Sequence, residues 1–355
     1  MTPRLAFVVS SDYSELGMAV GAARSAGVEA RVYLPRHQQA LAASFPGQRL
    51  RLFDGTADLL TMLTAFKPTH LLLFSGYLFL HPSGPDLAAL LQACSQLRHP
   101  PRVATTDPFL GLLQDQQALA QPAFQAALQR LPGLLPANAR AVQACTHLYP
   151  GPVAALDGPA SRQGYRLVDA PAAVAPTWLF VLGELEAQAL VKLHGASQVV
   201  NTLLARAQDA CAAGKRPCLY LPRPLADAVA AAAAGRLKLD SRPHGEHGAF
   251  NAEVDSAEQA FYWNWSSSSL VRRLTAGLPV SFFGRGHVSQ LLPGIAERLM
   301  AHFYTGGLPP VMAWDQPLQP ADLAAVQAAS RADREALAQR YRALPRLPDL
   351  LLSLP

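Results

Sequence analysis

Residues 263–280 read Trp-Asn-Trp-Ser-Ser-Ser-Ser-Leu-Val-Arg-Arg-Leu-Thr-Ala-Gly-Leu-Pro-Val and hold a dense set of groups able to grip an anion. Four hydroxyls, Ser266 to Ser269, precede an apolar stripe at Leu270, Val271 and Leu274. That is the pattern of a helix opened by a serine cap. Gly277 and Pro279 stop it after about two to three turns, and Val280-Ser281-Phe282-Phe283 follows as a buried strand. A helix N-terminus carries free N–H groups and partial positive charge. With Ser267, Ser268 and Ser269 around it, it can hold a phosphate or pyrophosphate. A capped helix and nothing more explains the same residues.

Further groups could serve the same anion. Gly284-Arg285-Gly286-His287 follows the 280–283 strand; its two glycines let backbone approach a ligand, and Arg285 and His287 can meet a phosphate. Arg223, in Tyr220-Leu221-Pro222-Arg223-Pro224, follows another strand and can neutralise a phosphate or simply sit on the surface. Trp263 and Trp265 can stack on a base or sugar, or pack in the core. His244 and His247 lie in the polar stretch 241–248, read as a loop rather than a metal site. There is no Asp-x-Asp motif, so the sequence requires no divalent metal and no cofactor.

The elements that must position these groups alternate regularly. Leu5-Ala6-Phe7-Val8-Val9 is a continuous apolar run, as in a parallel strand buried on both faces. A helix over 15–26 is closed by Gly27, and a strand over 29–34 completes a βαβ unit. Strands at 71–74 and 102–105 alternate with helical segments at 58–66 and 86–96. After a Pro/Ala-rich linker around 169–176, Trp178-Leu179-Phe180-Val181-Leu182 opens a second series. It contains one long helix over 188–213, strands at 218–221 and 236–239, a helix over 225–234, and a single amphipathic helix over 320–344. The alternation predicts two doubly wound α/β domains with a cleft between them. The expected boundaries are 1–168 for an acceptor-side domain, 177–319 for a nucleotide-donor domain, and 320–355 for a helix and tail packing back toward the first domain.

Composition narrows the class. A chain of 355 residues, half of them apolar and 15% charged, is long enough for two cores and has a rather neutral surface. The net charge of +5 comes without a Lys/Arg cluster, which argues against nucleic-acid binding and leaves room for an anionic donor or peripheral contact with a membrane surface. Abundant Pro and Ala-rich stretches point to a bacterial, GC-rich coding bias. Cys94, Cys145, Cys211 and Cys218 lack metal-ligand spacing and read as free thiols of a cytoplasmic protein. No run of about 18 apolar residues is present to span a bilayer.

Two doubly wound domains joined by a short linker resemble the GT-B glycosyltransferase superfamily. Ser268-Ser269-Leu270-Val271-Arg272-Arg273-Leu274-Thr275-Ala276-Gly277-Leu278-Pro279 is similar to that superfamily's donor-site signature. There, a small or hydroxyl residue opens a helix under the nucleoside diphosphate, and a Gly-x-Pro turn follows. A closer resemblance is to the protein-arginine rhamnosyltransferases, in the same segment and in Tyr13-Ser14-Glu15-Leu16-Gly17. Three positions depart from the pattern. Ser267 and Ser268 stand where that family has acidic residues, and Arg272 sits near where many nucleotide-sugar transferases carry a ribose-binding Glu.

The resemblance implies sugar transfer from a nucleotide-activated donor to a protein, glycan or lipid acceptor, inverting and metal-independent. An inverting transferase needs a base near the acceptor and N–H or cationic groups for the leaving diphosphate. Candidate bases lie at strand ends of the first domain: Glu15, at the acidic position of the rhamnosyltransferase signature; Asp12; and Asp107, in an Asp-Pro turn. Glu15 in a first helical turn also complements the helix dipole. Ser75-Gly76-Tyr77 marks another strand end, where the glycine allows a close turn. Two other readings stay open: a sialyltransferase-like enzyme using a CMP-sugar, and a non-catalytic GT-B-like binding protein.

Overall fold

The computed structural model describes residues 2–10, 13–45, 50–79, 84–106, 122, 126, 134–151, 162–167, 173–235, 239–243, 247–291 and 293–354. The chain forms two compact units, residues 1–169 with 341–355, and residues 170–340.

The first unit is built on a seven-stranded parallel sheet of order β3-β2-β1-β4-β5-β6-β7. Its strands are β1 (Arg4–Val8), β2 (Glu29–Pro35), β3 (Leu50–Phe53), β4 (His70–Leu73), β5 (Arg102–Thr106), β6 (Thr146–Pro150) and β7 (Arg162–Tyr165). Leu5, Phe7, Leu34, Leu72, Phe74, Ala104 and Leu148 are fully buried, as unbroken apolar runs in a sheet covered on both faces should be. The helix Tyr13–Ser25 packs on this core with Leu16 and Ala19, and the terminal helix Leu347–Leu352 adds Leu347, Leu350 and Leu351. That terminal segment is tied down by polar contacts as well. Arg102 donates to the Leu354 carbonyl at 2.5 Å, the Tyr341 hydroxyl donates to the Pro150 carbonyl, and the Arg166 N–H donates to the Pro345 carbonyl at 3.0 Å.

The second unit holds a five-stranded parallel sheet of order β10-β9-β8-β11-β12. Its strands are β8 (Ala175–Val181), β9 (Arg216–Leu221), β10 (Asp240–Pro243), β11 (Ala257–Tyr262) and β12 (Val280–Phe282). A ladder of aromatic rings runs across its core. Phe180 stacks on Phe261 at 4.7 Å, Phe261 on Phe283 at 5.3 Å, and Phe283 meets Trp263 at 4.9 Å. Such ring pairs add modestly to the area they bury.

Several local expectations are corrected. The long helix expected over 188–213 is two, Glu184–His194 and Ala196–Ala212. Gly195 lies between them at φ +83°, a left-handed conformation that ends the first helix. The expected 320–344 helix is also two, Pro320–Ala329 and Arg331–Arg342. Here the Ser330 hydroxyl donates back to the Val326 carbonyl at 3.1 Å, a local bond that competes with the helical ladder. Of the stretch 241–248, residues 241–243 belong to β10, which pairs with β9, and His247 opens a helix over His247–Ser256; residues 244–246 lie outside the described residues. Of the strand expected at 236–239, residues 236–238 lie outside the described residues; the described strand begins at Asp240.

Candidate active site

In an open parallel sheet, ligands meet the carboxyl ends of the strands where the strand order reverses. In the second sheet that point lies between β8 and β11. The segments leaving these strands carry Gly183 and Glu186 after β8, and Asn264 and the serines after β11. The neighbouring strands deliver Arg223 after β9 and Gly284-Arg285-Gly286-His287 after β12.

The serine helix spans Ser268–Thr275. Ser267 is its cap: φ −120° and ψ 148° are extended, and its hydroxyl accepts the Leu270 N–H at 3.2 Å. Ser269 is buried, with its hydroxyl 3.3 Å from that of Ser267, and Ser268 is half-buried at the first turn. Just upstream, polar atoms accumulate without protein partners. The Ser266 Oγ, the Asn264 Oδ1 and the indole N–H groups of Trp263 and Trp265 are all buried, and none is hydrogen-bonded among the described residues. Asn264 is only 7% exposed. Buried polar atoms are rarely left unpaired, and these four belong to consecutive residues at the switch point.

The Gly284–His287 turn lies against this strand end. A Cβ on Gly284 would meet the Trp263 carbonyl at 2.9 Å; one on Gly286, at φ +77°, would meet the Asn264 Cβ at 2.4 Å. The Trp265 backbone N–H donates to the Arg285 carbonyl at 3.3 Å. Arg285 is exposed, with its guanidinium carbon 5.1 Å from the Trp265 ring centroid and a nitrogen 4.0 Å from Glu297. Substituting Gly286 with Ala therefore imposes a strained φ and a clash together. The expected loss is about 1–3 kcal/mol, read from the urea midpoint. Gly294→Ala, with open space around it, should leave the midpoint nearly unchanged.

His287 brings a partner that the sequence did not point to. Its backbone N–H and its Nδ1 both meet one oxygen of Glu186, at 3.2 Å and 2.6 Å. Glu186 is 8% exposed, in the first turn of the Glu184–His194 helix. Burial works to raise its pKa, but the hydrogen bonds from His287 outweigh burial and hold the carboxyl below its usual range. A Cβ on Gly183 would stand 2.6 Å from the other carboxylate oxygen, so that glycine makes room for the carboxylate.

The remaining donor-side residues separate. Arg223 opens the helix Arg223–Ala233 and is exposed. Arg272 is gripped by Asp255 in a two-pronged ion pair, both contacts 2.5 Å. His247 sits beside Asn251 at 3.1 Å; burial and the charge of Arg272 push its pKa down to about 4. His244 lies outside the described residues. Trp263 and Trp265 are core residues, 3% and 1% exposed, and only their N–H edges remain unpaired. Cys218, Asp240 and Glu253 bring possible ligand atoms within 4.8 Å of one another. Arg216 and Arg242 already neutralise both carboxylates, at 2.5–3.0 Å, and burial, then the two carboxylates, push the Cys218 thiol up to about 12. This cluster is an ion-pair network.

In the first sheet the order reverses between β1 and β4. Glu15 is buried in the first turn of the helix that follows β1. Asp12 and Asp107 lie outside the described residues. After β4 the left-handed residue is Ser75, at φ 45° and ψ 56°, rather than Gly76. The turn is held by Thr106, whose hydroxyl accepts the Ser75 N–H at 2.9 Å, and by Thr105, which accepts the Gly76 N–H at 3.1 Å. Gly76 is needed for space, since a Cβ would meet Val142 at 3.0 Å. The Ser75 hydroxyl is fully buried and unpaired among the described residues. A non-glycine residue held in that left-handed conformation costs about 1–3 kcal/mol and persists only where its surroundings over-determine it, as the two threonine bonds do here.

No protein-family model and no curated protein matches this sequence. Among solved structures, the chain is similar to the spinosyn rhamnosyltransferase SpnG with a TM-score of 0.56, at 15% identity over 98% of this chain and 99% of that one. The chain has the GT-B fold. Another GT-B structure, glycosyltransferase VinC in complex with dTDP, gives 0.56 at 14% identity, covering 98% and 97%. A third, the UDP-GlcNAc 2-epimerase from Neisseria meningitidis bound to UDP-GlcNAc, gives 0.53 at 9% identity, covering 98% of each chain. Two Rossmann-like sheets on one chain are what these GT-B proteins have in common with it. No helix among the described residues is long and apolar enough to cross a membrane.

Proposed function

We propose that this protein is a glycosyltransferase that moves a sugar from a nucleoside-diphosphate donor to an acceptor nucleophile with inversion, without a metal. The observation that carries the donor half is the run of buried, unpaired polar atoms at Trp263, Asn264, Trp265 and Ser266, leading into a serine-capped helix at the switch point of the second sheet. Helix N–H groups, Ser268 and Ser269, the cations Arg223 and Arg285, and the His287 ring supply what a leaving diphosphate needs as charge develops on it. Solved structures of similar fold carry thymidine diphosphate in SpnG and dTDP in VinC, which supports a nucleotide at this fold's donor side.

Chemically, the nucleophile loses its proton to a carboxylate as it attacks the anomeric carbon opposite the departing diphosphate. Glu15 is the proposed base, and Asp12 and Asp107 are the alternatives. The acceptor is a protein, glycan or lipid; an arginine side chain belongs to the closer likeness alone and is not carried over. The protein is proposed to act in the cytoplasm, with peripheral membrane contact where the acceptor is a lipid.

The test is a thermal-shift screen with UDP, GDP, dTDP and CMP. One nucleoside diphosphate should stabilise the protein, by about 2.7 kcal/mol when present at 100 times its Kd. A response to CMP alone points to the sialyltransferase-like reading, and no response at millimolar levels sinks the donor site. Arg272, near where many nucleotide-sugar transferases carry a ribose-binding Glu, favours a second reading, a non-catalytic GT-B-like protein that binds a partner or a nucleotide; a hydrolysis and transfer assay separates the two. Within the site, Ser268→Ala with Ser269→Ala should weaken nucleoside-diphosphate binding by about 2–3 kcal/mol. The thermal midpoint should hardly move, because the Ser267 cap remains. Parental affinity in the double variant would leave the serines as structural residues only.

A further inference from the structure

The Glu186–His287 pair joins the first helical turn after β8 to the turn after β12. The carboxylate is buried, yet it spends one oxygen on the backbone and side chain of a residue whose ring is 37% exposed. Two glycines clear the space around it: a Cβ would come within 2.6 Å of one carboxylate oxygen at Gly183 and within 3.1 Å of the other at Gly286. The arrangement fixes the ring chemically. A carboxylate oxygen accepts, so Nδ1 must carry the proton and donate. Among the described residues Nε2 has no partner, and it is the edge of the ring turned away from Glu186.

We propose that Glu186 is a positioning residue that locks His287 in the Nδ1–H form and aims its free Nε2 edge at the terminal phosphate of a nucleoside diphosphate. This rests on the proposed donor site. A phosphate oxygen also accepts, so on binding the ring takes a second proton from solvent, and the buried carboxylate compensates its charge. The other charged groups around the ring's helix are Glu184 beside Glu186, Arg285 immediately before the turn, and Glu297 facing Arg285. The imidazolium then lies between two anions, the carboxylate at Nδ1 and the phosphate at Nε2. This is the logic by which a carboxylate orients a histidine at metal sites and in hydrolase triads.

Two measurements test it. Imidazole nitrogen NMR of the ligand-free protein, assigned with His287→Gln, should show a protonated Nδ1 and a bare Nε2 for His287. Glu186→Ala should release the ring to a mixture of tautomers. A bare Nδ1 in the parent overturns the positioning role. Calorimetric titration with dTDP and UDP should show about tenfold weaker binding for His287→Gln and for the near-isosteric Glu186→Gln, as expected for one charge-assisted contact. The double variant should be no weaker than His287→Gln alone, and binding of the bare nucleoside should be unchanged in all three. If Glu186→Gln loses the same factor in the His287→Gln background, the carboxylate acts only on the fold and the proposal fails. A parent protein that binds no nucleoside diphosphate removes the donor site and the phosphate contact with it, while the NMR result still decides the positioning role.

Discussion

Replacing Arg273 with Met should destabilise the second unit by about 3–5 kcal/mol, because buried carbonyls that lose their donor cost about 1–3 kcal/mol each. Arg273 belongs to the helix after the serines and is 0% exposed. Its guanidinium donates to three carbonyls: Val254 at 2.5 Å, Ala257 at 3.0 Å and Pro279 at 2.8 Å. These carbonyls close the helix before β11, open β11, and precede β12, so one side chain staples together the strands that carry the proposed donor-site turns. Burial pushes its pKa down to about 10, so it remains charged at neutral pH. The guanidinium is imperfectly satisfied, since Nε is buried without a partner, and that offsets part of its contribution. Methionine fills similar space but takes the guanidinium donor away from all three carbonyls; that of Pro279 keeps the Ala260 N–H at 3.3 Å. Urea unfolding followed by circular dichroism reads the change. Arg272→Met is the comparison: it removes a single two-pronged pair with Asp255, whose side chains keep part of their exposure, and its effect should be smaller than that of Arg273→Met. If Arg273→Met unfolds at the parental midpoint, the three carbonyls have other donors and the staple is dispensable.

The largest effect on turnover is expected from Glu15→Gln. Glu15 is 7% exposed in the first turn of the helix after β1, beside the switch point of the first sheet. Gln keeps the shape and the helix propensity but cannot accept the acceptor's proton. If Glu15 is the base, kcat should fall about 10²–10⁴-fold, while affinity for the nucleoside diphosphate stays within about twofold because the donor contacts belong to the other sheet. Steady-state transfer, with the nucleotide that the thermal-shift screen selects, measures both. Unchanged turnover passes the role to Asp12 or Asp107. A fall in donor affinity equal to the fall in kcat would instead mean that Glu15 supports the fold.

The architecture was legible in the residues because parallel strands buried on both faces must be continuous apolar runs. Leu5–Val9, Leu71–Phe74, Trp178–Leu182 and Cys218–Leu221 announce themselves that way, and the spacing between them fits only helical crossovers. The serine cap was legible for a similar local reason: hydroxyls before an apolar stripe at 3.6-residue spacing satisfy N–H groups within one turn. Helix ends were less so. Gly195 and Ser330 break helices that composition alone would continue, because a single backbone angle or a back-bonded hydroxyl decides the matter. What the sequence could not supply were the partnerships between distant positions. Glu186 meets His287 across 101 residues, Arg273 reaches carbonyls 19 and 16 residues upstream, and the left-handed turn after β4 falls on Ser75 although a glycine stands next to it. Local patterns report secondary structure because the forces behind them act within a few residues. Which carboxylate meets which imidazole, and which buried hydroxyl is left unpaired, depends on strand order and loop packing, and these exist only once the sheets have assembled.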